Sequence, residues 1–185
     1  MPAMRRAVAI MVLALSVSAL GAAATGIYLD VPYVRQPKNG CGAACLAMIL
    51  EYWKVRDPGV GGGATTQVAA IQRQLYSKTA HGIYARDMVS YLDRSGMRAF
   101  VFTGRWSDLE DHLIKGRPLI VCLKEPGWHG PRHYVVVTGV DSGRQQVLVN
   151  DPARGKLDTV KWPEFEKGWK ATGFWTLLAV PRQGQ

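Results

Sequence analysis

The chain has 185 residues, 48% of them hydrophobic, 20% charged and 9% aromatic, which excludes a disordered chain poor in aromatics and rich in charge. Its 20 glycines follow no Gly-X-Y period and no longer repeat recurs, so collagen, solenoid and propeller architectures are excluded. Three cysteines are too few for a disulfide scaffold, and the net charge of +9 is scattered without a basic block.

The first 24 residues read as an export signal. Arg5 and Arg6 form a positive start, an apolar run extends from Ala7, and Ala22-Ala23-Ala24 offers small residues for cleavage after Ala24. The alternative is a retained membrane anchor, because about 18 apolar residues approach the minimum span. Cleavage removes Arg5 and Arg6, lowering the net charge by two to +7, and leaves one domain over residues 25–185 with no membrane span. The expected location is secreted or periplasmic. An anionic envelope polymer then suits the basic surface better than nucleic acid, for which no basic-aromatic motif is present.

Residues 27–34 read as an extended lead-in, held to a sheet edge by Pro32. After a polar turn with Pro37, Asn39 and Gly40, a helix is expected from Gly42 to Trp53. Leu46, Ile49, Leu50 and Trp53 mark one apolar face, and Ala43, Ala44, Ala47 and Met48 make the other sides apolar too, so this helix should be central and buried. Further helices are expected over 67–76, capped by Thr65 or Thr66, over 85–95, and over 108–115, capped by Ser107. Strands are expected at 97–103, 119–123, 134–138, 146–150 and 174–180, and Trp162 and Trp169 should pack in the core. Helices followed by an antiparallel sheet make the class α+β.

Cys41 stands where a glycine-containing loop meets the start of the buried helix. Free N–H groups and the helix dipole stabilise a thiolate there, which suits a nucleophile. A buried, inert thiol is the commoner state of a lone cysteine. Gly42 would let a substrate approach closely, and Gln36 could donate a hydrogen bond to a developing oxyanion together with the Cys41 N–H. A thiolate needs a base, and the base needs an orienting acceptor. His133 opens one strand and Asp151 closes the next; if they face each other, the hairpin turns about Ser142, inside the turn signal Asp141-Ser142-Gly143-Arg144. A bulge would shift that register, and Asn150 would point to the opposite face. His81 should be exposed in its loop and His112 should face solvent, while His129 and Trp128 could line the substrate groove just before His133. With neither a C-x₂-C pair nor an H-E-x-x-H run, no metal site is expected from Cys41, Cys45, His129 and His133, and no cofactor. A Cys45–Cys122 bridge would leave Cys41 free.

Three ordered stretches then resemble the bacteriocin-processing, double-glycine-leader cysteine peptidases and their stand-alone relatives. They are Val31-Pro-Tyr-Val-Arg-Gln36 leading through Cys41-Gly42 to Met48, His133-Tyr-Val-Val-Val-Thr-Gly139, and Val149-Asn-Asp151-Pro152. The resemblance spans residues 28–160 and implies a papain-like fold, with Cys41 as nucleophile, His133 as base, Asp151 as orienter and Gln36 in the oxyanion hole. Where that family often has Asp before the nucleophile, this chain has Gly40. The expected activity is hydrolysis of peptide bonds in a peptide or protein substrate through a thioester. An amidase, acyltransferase or cell-wall endopeptidase would use the same groups, and a non-catalytic peptide-binding domain is the third alternative.

Overall fold

The structure is a computed structural model that describes residues 26–61, 64–124 and 131–182. The export signal expected at 1–24, and Trp128 and His129, lie outside the described residues.

The elements run β1 (Gly26–Tyr28), α1 (Cys41–Lys54), α2 (Val68–Leu75), α3 (Ala85–Arg94), β2 (Met97–Thr103), α4 (Trp106–Ile114), β3 (Leu119–Lys124), β4 (Arg132–Asp141), β5 (Gln146–Asp151), β6 (Gly155–Lys161), α5 (Trp162–Lys170) and β7 (Trp175–Pro181). One antiparallel sheet has the order β2-β7-β3-β4-β5-β6. Strand β1 shares an edge of β4 with β3, pairing at Tyr28↔Gly139 where β3 pairs only up to Val137.

Both faces of this sheet are covered. Ile120, Val136, Leu177 and Ala179 pack against α1, α2 and α3, while Leu119, Val121, Val135, Val137 and Leu178 pack against α4 and α5. Neighbours in a strand point to opposite faces. Doubly covered strands therefore need continuous apolar runs such as Val135-Val136-Val137 rather than alternation. Helix α1 fills the centre of the first layer, with every residue from Gly42 to Leu50 buried, as its all-round apolar surface requires.

The expected helices and strands form, with shifted ends. Thr65 does not cap α2; its hydroxyl accepts from the Gln67 N–H at 3.0 Å in the turn before the helix. Helix α4 starts at Trp106 rather than after Ser107, because the Asp108 carboxylate accepts from the Arg105 N–H at 2.7 Å and so closes the first turn one step earlier. His112 is half-buried against the Phe102 ring rather than facing solvent. Strand β6 and helix α5 have no counterpart among the expected elements. The α5 signal is nevertheless present: Pro163 in the first turn, and Trp162, Phe165 and Trp169 at i, i+3 and i+7, with Phe165 and Trp169 fully buried.

Candidate active site

The site forms where the N-terminus of α1 meets the start of β4 and the end of β5. Cys41 is the first residue of α1, with no acidic residue in that first turn to oppose a thiolate. The turn before it is tight. The Gly40 N–H donates to the Pro37 carbonyl at 2.9 Å, and a Cβ on Gly40 would lie 2.8 Å from the Pro37 ring. Any side chain there, Asp included, would have to push this turn aside, which explains the glycine before the cysteine.

His133 Nε2 lies 2.7 Å from Asp151 Oδ1, and the same imidazole draws the Cys41 thiol below its ordinary value. With Nε2 occupied by the carboxylate, Nδ1 is the ring nitrogen left for the thiol. The pair does not face squarely as expected. Strand β4 carries a bulge at Thr138, and the hairpin turns between Asp141 and Gln146 rather than about Ser142. Continued without the bulge, the turn-side register would bring Asp151 opposite Val136, on the sheet face away from His133. The one extra residue restores the face and brings Asp151 in line with Val135, diagonal to His133. The bulge is held from both sides: the Thr138 hydroxyl donates to the Leu148 carbonyl at 3.2 Å, and its carbonyl accepts from the Leu29 N–H at 2.8 Å.

The carboxylate is fixed by its own turn. Asp151 Oδ1 accepts from the N–H groups of Ala153 at 2.8 Å and Arg154 at 3.3 Å, and the Arg154 guanidinium lies 3.7 Å from Oδ2. Burial pushes the Asp151 carboxyl up, but His133 and these two N–H groups outweigh it and hold it below its usual value. Burial likewise pushes His133 down, yet its bonds to Asp151 and Cys41 dominate and raise it to about 9. For Cys41, burial raises the thiol, and the bond to His133, the Tyr134 and Gly42 N–H groups and the imidazole charge more than compensate, leaving it below the ordinary value. A thiol lowered beside an imidazole raised favours the thiolate and the imidazolium over the neutral pair. The Tyr134 N–H, which the sequence did not single out, comes from the strand position next to His133.

Gln36 reaches the site through its backbone. Its N–H donates to the Pro152 carbonyl at 2.9 Å, next to Asp151. Its side-chain Oε1 is buried and has no hydrogen-bond partner among the described residues. Asn150, on the opposite face from Asp151 as expected, is fully buried and pins this N-terminal segment. It donates to the Val31 carbonyl and accepts from the Leu157 N–H, each at 3.0 Å. Gly42 differs from expectation: the space a Cβ would take faces Ile83 and Tyr134, so this glycine accommodates protein packing rather than substrate.

The other thiols are unlike Cys41. All three cysteines are free, and Cys45 and Cys122 are buried. Burial pushes Cys45 well above its ordinary value and Cys122 to about 12. Among the described residues no group of three metal-ligating side chains converges, and no helix is long and apolar enough to cross a membrane.

Comparison with known proteins identifies the fold. Solved structures with the same fold include a C39-like peptidase from Bacillus anthracis, with 19% identity, a TM-score of 0.65, and coverage of 86% of this chain and 99% of that one. The peptidase domain of Streptococcus ComA, a bi-functional ABC transporter of a quorum-sensing pathway, is 22% identical with a TM-score of 0.62, covering 81% and 98%. A double-glycine-motif protease from an AMS/PCAT transporter, in complex with a leader peptide, is 23% identical with a TM-score of 0.60, covering 84% and 94%. No curated protein matches the sequence. The model of the Peptidase_C39 like family matches residues 28–177, most of the chain, and the protein therefore belongs to that family and is a papain-like cysteine peptidase.

Proposed function

We propose that the protein hydrolyses peptide bonds with Cys41 as nucleophile, His133 as general base and acid, and Asp151 as the group that orients and charges His133. The observation that carries this reading is the 2.7 Å contact between His133 and Asp151, with the same imidazole holding the Cys41 thiol below its ordinary value. The Cys41 thiolate attacks the scissile carbonyl, and the C=O electrons move onto oxygen. The oxyanion accepts hydrogen bonds from the Cys41 N–H and the Gln36 side-chain amide. The Gln36 backbone, tied at 2.9 Å to the Pro152 carbonyl next to Asp151, holds this residue beside the site and supports the assignment. Collapse breaks the C–N bond as His133 gives its proton to the leaving amine. Water, deprotonated by His133, then hydrolyses the thioester and frees the thiol.

The substrate proposed is a peptide; the double-glycine-motif protease above is seen in complex with a leader peptide. Incubation of the purified protein with a peptide library tests the assignment, with the Cys41→Ala variant expected to be inactive; equal cleavage by that variant would remove Cys41 from its role. An amine could intercept the thioester in place of water, and the basic charge suits anionic cell-wall acceptors. Release of muropeptides without cleavage of any library peptide would select that second reading.

Export is proposed on the chemistry of residues 1–24, with an N-terminus at Thr25. N-terminal sequencing of the protein from the periplasmic or culture fraction should read Thr25 first; a protein confined to the cytoplasm with Met1 intact would exclude export.

A further inference from the structure

A second concavity lies at the opposite pole from Cys41. Trp53 is twelve residues along α1 from Cys41, about 18 Å down the helix axis. There a cavity of about 560 Å³ opens between the end of α1, strands β2 and β7, and the turn after α4. Trp53 and Phe100 give it apolar walls, and Arg98, Lys115 and Arg117 give it positive charge. Its one lining carboxylate, Asp57, already accepts from the Gly59 N–H at 2.9 Å.

Some exposed cations pair with acids, as Arg144 does with Asp141, Arg154 with Asp158, Lys156 with Asp30 and Arg182 with Asp93. Among the described residues, Arg98, Lys115 and Arg117 have no such partner. Nearby His112 registers two of them: burial pushes its imidazole down and Arg117 and Lys115 push it further, against Asp108 and Asp111. Three unneutralised cations at one hollow repel each other, and an anionic ligand would relieve that repulsion.

Strand β2 supplies a second recognition element. It is one edge of the sheet and, among the described residues, pairs only with β7. Phe100 and Val101 on it are 44% and 47% exposed, an apolar edge that proteins ordinarily blunt or cover. Arg98 and Phe100 share the face that opens into the cavity, so every second residue of an added strand would project there. Both β2 and β3 run antiparallel to β7, so β2 ends at Thr103 on the same end of the sheet as Leu123 and its partner His133.

We propose that this pole docks an acidic segment of the peptide substrate, remote from the scissile bond, as an added strand on β2 with its carboxylates over Arg98, Lys115 and Arg117 and apolar residues against Phe100. The assignment to substrate rests on the peptidase reading; the docking itself does not. The test uses the full chain carrying Cys41→Ala, which cannot turn over, so loss of catalysis and loss of docking are read apart. A fluorescent peptide alternating Glu with Val is titrated by anisotropy. Adding Arg98→Glu with Arg117→Glu should weaken binding about tenfold or more, since each pair removed is a charge-assisted contact. Arg98→Lys with Arg117→Lys should retain most of it, and thermal melting checks that each variant folds. Equal binding of a Glu→Gln twin of the peptide would overturn the proposal. So would competition by polyphosphate as strong as that of the acidic peptide, because polyphosphate has charge but no amide backbone to pair with β2.

Discussion

Replacing Asp151 by Asn isolates the charge from the geometry of the site. Asparagine keeps a side-chain oxygen that can accept from His133 Nε2 and from the Ala153 N–H, bonds that Asp151 Oδ1 makes at 2.7 and 2.8 Å. It removes the negative charge. His133 is raised from 6.5 to about 9 against the pull of burial, by Asp151 first and Cys41 second. That difference corresponds to about 3 kcal/mol of preference for the imidazolium, and Asp151 supplies the larger share. In the variant, burial acts with less opposition and His133 should titrate at least one pH unit lower. The thiolate–imidazolium pair exists between the titration of Cys41 and that of His133. The alkaline limb of kcat/KM should therefore lie near 9 in the native enzyme and move toward neutrality in Asp151→Asn, while the acid limb, set by Cys41, rises. The linkage has the same sign. A histidine raised on folding stabilises fully below its unfolded value of about 6.5 and loses that contribution as pH rises through about 9. Most of this contribution should vanish in the variant. Rate profiles on a peptide substrate and urea melts at pH 6 and 9.5 measure both effects. An alkaline limb that stays near 9 with undiminished kcat/KM would refute the role given to Asp151.

Iodoacetamide at neutral pH should alkylate Cys41 alone in the folded protein, because burial holds Cys45 and Cys122 as protonated thiols; mass spectrometry of peptides showing Cys122 labelled as fast as Cys41 would contradict this. Gly40→Ala should lower kcat/KM with little change in overall stability, since its Cβ would lie 2.8 Å from the Pro37 ring and displace the turn that presents Cys41; unchanged kinetics would show that the turn yields at no cost. Asn150→Ala should destabilise by about 2–4 kcal/mol in urea unfolding, because it strands the Val31 carbonyl and the Leu157 N–H at a buried site. A loss below about 0.5 kcal/mol would mean that water or a shifted segment satisfies both groups.

Much of the site was legible because its signals are local. A cysteine at the junction of a glycine-bearing turn and an all-apolar helix specifies both burial of α1 and an electropositive setting for the thiol within one stretch of chain. His133 and Asp151 were recognisable as residues at adjacent strand ends. Their pairing was right for a reason the sequence did not contain: the expected turn about Ser142 and the observed bulge at Thr138 place both side chains on one face by different routes. The bulge depends on partners far along the chain, Leu29 and Leu148. Gly42 shows the same limit, since only the packed neighbours Ile83 and Tyr134 reveal which way its missing side chain faces.

By itself the sequence determined which residues are candidates for chemistry and which helix is central, because thiol placement, helix periodicity and turn residues act over a few neighbouring positions. Tertiary structure alone decided the strand register, the coverage of both sheet faces, the anchoring of Gln36 through Pro152 and the gathering of Arg98, Lys115 and Arg117 around one hollow. Each of these is set by packing and hydrogen bonds between segments distant in the chain, whose energies exceed local preference and leave no periodic trace in the amino-acid order.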